Sequence, residues 1–205
     1  MVHRFYRFAA VVSRPAVHYL YRLDVRGREN LPTSGGFVLA ANHVSNFDPW
    51  PLGIALYPQR ELRFMAKSEL YNPVLGPLLN AAGAFPVRRG EADVEAMATA
   101  IALAGRGEVI AMFPEGTRRS KGLRKKYEAR PRAGAARIAL EAGVPLVPAA
   151  ISGTDRLLRF GKLKVAFGPP IPLDDLEELD RHHAVRIATE RLMQEIYRLE
   201  QTLRG

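Results

Sequence analysis

The chain has 205 residues, 47% of them hydrophobic and 25% charged, which suits a single soluble domain with a sizeable core. It contains no cysteine, so disulfides, thiolate metal ligands and a cysteine nucleophile are excluded, and a cytosolic setting is compatible with that. The formal net charge of +9, with a pI near 10.2, is the informative extreme: such a surface attracts anionic lipid headgroups, phosphorylated substrates or nucleic acid.

Residues 1–23 set Arg4, Arg7, Arg14 and His18 at helical spacing beside a stripe of Phe5, Phe8, Val12, Ala16 and Tyr19, the pattern of a basic amphipathic helix. Such a helix either lies in a membrane interface or packs on its own domain with a solvated basic face, and amphipathicity alone does not separate the two. Pro15 is expected to kink or divide it. No apolar run approaches the roughly 18 residues needed to span a bilayer. No secretory leader is expected either, because the apolar stretch 8–12 is short and Arg14 interrupts it.

From residue 19 onward short apolar runs alternate with helical patterns. Strands are expected at 20–25, 37–41, 62–66, 84–87, 109–113, 146–151 and 163–167. Helices are expected at 49–56, 73–81, 92–104, 134–142 and 184–203, with Gly83, Gly105 and Gly143 as stop signals. This order predicts a single α/β domain with a largely parallel mixed sheet flanked by helices, residues 1–23 forming the amphipathic segment and 24–205 the main domain. Its site should gather where strands run into loops. Residues 169–180 read as a proline-led acidic connector, and the adjacent His182 and His183 point in different directions on a helix, which makes a shared metal poor chemistry.

The segment Asn42-His43-Val44-Ser45-Asn46-Phe47-Asp48-Pro49 places an imidazole and a carboxylate five positions apart. A continuous strand would put them on opposite faces, and a continuous helix roughly 140° apart. A strand that ends at His43, a turn through 44–47 and a helix starting at Asp48 would bring them together. Asp48 then reads as the N-cap and Pro49 as the first helical residue. Alone the pattern is weak, since an aspartate at a helix start is commonly just a cap.

Three further segments bear on it. Gly83-Ala84-Phe85-Pro86-Val87-Arg88-Arg89-Gly90 sets arginines where a strand ends. Phe113-Pro114-Glu115-Gly116-Thr117-Arg118 can present Glu115 and Arg118 at the carboxyl end of another strand, with a glycine that permits close backbone approach and a guanidinium that can bind phosphate as a fork. Val147-Pro148-Ala149-Ala150-Ile151 is an almost wholly apolar strand interrupted by proline.

Together the four segments resemble, in family order from about Asn42 to Ile151, the glycerolipid acyltransferases that acylate lysophosphatidic acid, the 1-acyl-sn-glycerol-3-phosphate acyltransferases. Lys67-Ser68-Glu69-Leu70 resembles the basic segment between their first two blocks. The resemblance implies the glycerolipid acyltransferase fold. It also implies transfer of an acyl group from acyl-CoA or acyl carrier protein to the sn-2 hydroxyl of lysophosphatidic acid, without cofactor or metal, on the cytoplasmic face of a membrane. In that scheme His43 is the general base and Asp48 orients its ring and stabilises the protonated form. Arg89 holds the acceptor phosphate with Lys67 and Arg118 as further cations, Glu115 and Gly116 shape the pocket, and Arg88 and Thr117 complete the substrate-binding set.

General chemistry agrees, because a hydroxyl is a poor nucleophile until an adjacent base takes its proton. No G-x-S-x-G elbow occurs in the chain, so direct transfer is preferred to an acyl-enzyme. Three departures from the family pattern crowd positive charge around the phosphate site: Arg119 for serine, Arg88 for aspartate, and Pro131-Arg132-Ala133-Gly134 for Phe-Lys-x-Gly. They bear on acceptor choice, so acylation of another lysolipid or an amino-acid-derived lipid is the near alternative. Residues 118–132 carry eight cations (Arg118, Arg119, Lys121, Arg124, Lys125, Lys126, Arg130 and Arg132), each worth roughly 1 kcal/mol against an anionic membrane. A basic nucleic-acid-binding module is the alternative from another class. No helix-turn-helix, zinc-finger or RNA-binding signature accompanies the charge, so no specific nucleic acid partner is expected.

Overall fold

Seven strands form one sheet in the order β1-β7-β6-β2-β5-β3-β4 in the computed structural model, which describes residues 4–88, 94–116 and 131–204. They are β1 (Asp24–Arg26), β2 (Phe37–Ala41), β3 (Leu62–Lys67), β4 (Ala84–Val87), β5 (Val109–Met112), β6 (Leu146–Ser152) and β7 (Lys164–Phe167). Every neighbouring pair is parallel except β6 with β7, which is the largely parallel mixed sheet the sequence predicts. The α-helices of the described residues are α1 (Arg4–Pro15), α2 (Pro49–Leu56), α3 (Leu75–Ala81), α4 (Val94–Gly105), α5 (Gly134–Ala142) and α6 (Arg181–Leu203).

The central strands are buried on both faces, so they read as continuous apolar runs rather than alternating ones. Val38, Ala40, Ile110 and Leu146 face the layer made by α4, α5 and α6. Phe37, Leu39 and Ala41 point the other way, against Leu52, Ala55 and Leu56 of α2. Pro148 is tolerated inside β6 because its backbone faces β7, where its carbonyl accepts from Gly168, one step past the last β6–β7 pair, Ala149 with Phe167. After α3 and α5 the chain turns through Gly83 and Gly143 in the left-handed region, at φ +91° and +62°. Gly105 instead ends α4 as a helical residue, and the left-handed position falls on Gly107.

The first expected strand is corrected. Residues Ala16–Leu20 form a π-helical turn, and β1 starts only at Asp24, where pairing with Lys164 becomes available. The amphipathic segment is helical and ends at Pro15, as the proline predicts. It docks through Tyr6, Ala10 and Val17 rather than through the larger apolar stripe. Gly53 of α2 makes room for Tyr6, since a Cβ there would stand 2.7 Å from the phenol oxygen. That oxygen accepts from Leu62 N at 3.3 Å, and burial pushes the Tyr6 phenol up to about 12, so it stays protonated.

Candidate active site

Strand β2 ends at Ala41 in the middle of the sheet, the chain turns through 42–48, and α2 begins at Pro49, which is the strand, turn and helix expected. Asn42 fastens the end of β2. Its Oδ1 accepts from Ile151 N at 2.8 Å and its Nδ2 donates to Ile151 O at 2.9 Å, so a side-chain amide prolongs the β2–β6 ladder beyond the Ala41–Ala149 pair. Nδ2 also donates to Glu200 Oε1 of α6 at 3.0 Å.

The turn brings His43 and Asp48 together, with Nδ1 and Oδ2 2.7 Å apart and both residues buried. Asp48 stands before Pro49 as expected, yet its side chain makes no helix-capping bond, which corrects the capping role. The carboxylate reaches back instead. Oδ2 accepts from the backbone N–H of Val44 and Ser45 at 2.8 and 3.0 Å, and Oδ1 accepts from Thr154 Oγ1 at 2.6 Å. Four donors thus meet a carboxylate that is 0% exposed, which offsets the cost of taking it out of water. An oxygen that already accepts two backbone N–H groups acts as an acceptor toward the imidazole as well, so Nδ1 carries the shared proton. In the neutral ring Nε2 then holds the free lone pair, the tautomer in which an imidazole can accept a proton there. Phe113, just past β5, stacks on the imidazole with ring centroids 4.4 Å apart and planes 22° apart, which fixes the ring's tilt.

The expected cations come from the strand ends to one side of this turn. Lys67 closes β3 and Arg88 follows β4, both exposed, while Glu115 and Gly116 follow β5. Glu115 is buried and Gly116 has φ +69°. A side chain at Gly116 would collide with Arg132, whose backbone N–H donates to Pro114 O at 2.7 Å. Arg132 therefore lies on the Glu115–Gly116 loop. Arg89, Thr117 and Arg118 fall outside the described residues, as do Arg119, Lys121, Arg124, Lys125, Lys126 and Arg130.

Comparison with known proteins decides the kinship. Residues 22–152 match the family model described as acyltransferase. The chain belongs to the acyltransferase family. It is 34% identical over 202 residues to a Bacillus subtilis (strain 168) protein named 1-acyl-sn-glycerol-3-phosphate acyltransferase, in an alignment spanning 97% of this chain and 98% of that one. A chloroplastic Brassica napus protein named 1-acyl-sn-glycerol-3-phosphate acyltransferase BAT2 is 29% identical across 77% of this chain, and the alignment spans 45% of the plant protein. The crystal structure of the 1-acyl-sn-glycerophosphate acyltransferase PlsC from Thermotoga maritima superposes with a TM-score of 0.66 at 24% identity, covering 95% of this chain and 79% of that one. That likeness bears out the expected fold.

In this acyltransferase an apolar cavity of about 260 Å³ lies beside the His43–Asp48 turn. Phe47 and Trp50 line it from the turn and α2, Tyr6 and Ala10 from α1, Phe64 from β3 and Leu79 from α3. Sequence reasoning did not single out Thr154, Phe113 or Asn42 for the parts they play around the pair. The available signal for Thr154 was its place directly after Gly153 at the end of an apolar run. Among the described residues no helix is long and apolar enough to cross a membrane.

Proposed function

We propose that this acyltransferase moves a fatty acyl group from an acyl thioester to the sn-2 hydroxyl of 1-acyl-sn-glycerol 3-phosphate, giving phosphatidic acid. The observation that carries the reading is the buried His43–Asp48 pair, 2.7 Å apart, at the carboxyl end of the central strand. Near end-to-end similarity to the Bacillus protein supports the choice of acceptor. His43 Nε2 takes the hydroxyl proton as the oxygen attacks the thioester carbonyl. The carbon–sulfur bond breaks, the sulfur leaves, and the imidazolium returns the proton to it. Asp48 steadies the imidazolium between the two transfers.

In this reading Arg89 holds the acceptor phosphate with Lys67, Arg88 and Arg118 as further cations, while Glu115, Gly116 and Thr117 border it. An acyl chain occupies the apolar cavity beside Phe47. The stripe of α1 turned away from the domain supports contact with a membrane surface: Phe5, Phe8, Val11 and Val12 are 41 to 65% exposed, with Arg4, Arg7 and Arg14 exposed on the same helix. The test is thioester consumption by purified protein in lipid vesicles, with acyl-CoA or acyl carrier protein as donor. Lysophosphatidic acid, glycerol 3-phosphate and neutral lysolipids serve as acceptors, and mass spectrometry identifies the product. Phosphatidic acid from lysophosphatidic acid is the expected product, and a preference for a neutral lysolipid would overturn the acceptor.

A further inference from the structure

A second cavity, of about 420 Å³, opens on the opposite side of the catalytic turn from Lys67 and Arg88. Asn42 and Val44, the two neighbours of His43, form part of its wall. The ends of β6, β7 and helix α6 and the 153–162 stretch between the two strands supply the rest. Lys164 reaches this edge because β7 runs antiparallel to β6, so its first residue stands where the parallel strands finish. Four cations line the cavity, Arg156, Lys162, Lys164 and Arg204, against two carboxylates, Asp155 and Glu200.

The pairs that Arg156 and Lys162 make are open to exchange with an anion. Arg156 meets Asp155 at 3.4 Å and Lys162 meets Asp24 at 3.5 Å, each from an exposed cationic side chain, and long surface pairs of that kind contribute little and exchange readily. Lys164 Nζ donates to Leu203 O at 2.8 Å. Glu200, the buried carboxylate, accepts from Asn42.

Transfer between two phosphate-bearing substrates needs two anion grips, one on each side of the base. Strand order provides that arrangement: β3 and β4 lead to Lys67 and Arg88 on one side of β2, and β7, the 153–163 connection that precedes it and the end of α6 carry this second set on the other. We propose that the β6–β7 cavity holds the phosphate at the far end of the donor's phosphopantetheine arm, the group that coenzyme A and acyl carrier protein share. This rests on the acyl-transfer reading above and gives the donor its own site. The arm runs from the cavity past Val44, so the thioester carbonyl arrives at His43 from the side opposite the acceptor phosphate.

The experiment compares wild type with Arg156→Ala/Lys162→Ala in vesicles, with Arg106→Ala/Arg186→Ala as a charge-matched pair of exposed arginines away from the cavity. Donors are acyl-CoA, acyl carrier protein thioester and an acyl N-acetylcysteamine thioester that has no phosphate. The expected result is a rise of about tenfold in the donor KM for the cavity variant with both phosphate-bearing donors. The truncated donor and the acceptor KM should show no change, and the remote pair no comparable effect. A cavity effect confined to acyl-CoA places the nucleotide phosphates there; an effect on both places the phosphate of the arm. Equal donor KM values in wild type and cavity variant, a rise in acceptor KM instead, or the same rise in the remote pair overturns the donor site while leaving the acyltransferase reading standing. Failure of the wild type to consume any thioester overturns that reading itself. Circular dichroism and thermal melting of both variants confirm that the chain is folded.

Discussion

The His43–Asp48 turn and the cationic rim share one edge of the sheet and are built in opposite ways. Asp48 is 0% exposed and holds four hydrogen bonds, three of them from residues within the turn and one from Thr154, 106 positions away. Lys67 and Arg88 stand exposed at strand ends. A base that must meet a developing charge at one atom needs a fixed ring, whereas long cationic side chains can follow a phosphate through several positions. On the proposed mechanism, reaction chemistry is therefore locked into the fold, and acceptor choice rests on side chains exposed at strand ends.

Breaking the turn should give the largest effects. His43→Ala and Asp48→Asn are each expected to lower kcat by about 10² to 10⁴, because one removes the base and the other offers a donor where the imidazole needs an acceptor. Initial rates of thioester release check this, and near-normal turnover in a folded His43→Ala protein would sink the assignment.

Loosening the turn from a distance should cost less. Thr154→Val leaves Asp48 Oδ1 without its donor, and a hydrogen bond to a charged group is worth about 1.5–3 kcal/mol, so kcat should fall about tenfold or somewhat more. KM for either substrate should hold, and Thr154→Ser should restore the rate. An unchanged kcat in the valine variant would show that the remaining three bonds are enough.

Altering the rim sharpens the contrast from the other side. Lys67→Ala is expected to raise the KM for lysophosphatidic acid roughly three- to tenfold at constant kcat, with a smaller rise at high salt because the site is open to counter-ions. A fall in kcat instead would move Lys67 from the rim into the reaction. The smallest effect on chemistry belongs to Phe8→Asp, which should reduce sedimentation with anionic vesicles while leaving turnover of a short-chain, water-soluble acceptor intact.

The turn was legible because its signals are local. An apolar run, a histidine, and an aspartate before proline specify strand, turn and helix within about a dozen residues, and the meeting of His43 with Asp48 follows from that order. What sequence reading mistook was the aspartate's bonding: the proline at the helix start satisfied the cap pattern, yet the carboxylate turns back toward Val44 and Ser45. Thr154 was hidden by distance, since only the pairing of β6 beside β2 brings it to Asp48. The misplaced first strand has the same origin, because residues 20–25 look apolar enough but only those from Asp24 find partners on β7. In α1 the periodicity was readable and the docking face was not. Small residues and one tyrosine settle against α2, and the bulky stripe is left outside.

With the membrane contact proposed above, that outward stripe changes what concentration means for this molecule. A protein resting on a bilayer through Phe5, Phe8 and Val12 meets its acceptor by lateral diffusion, so the governing quantity is the mole fraction of lysolipid in the surface rather than its amount in the solution. Adding inert phosphatidylcholine at fixed total lysolipid should slow the reaction by surface dilution, while adding more vesicles of the same composition should not.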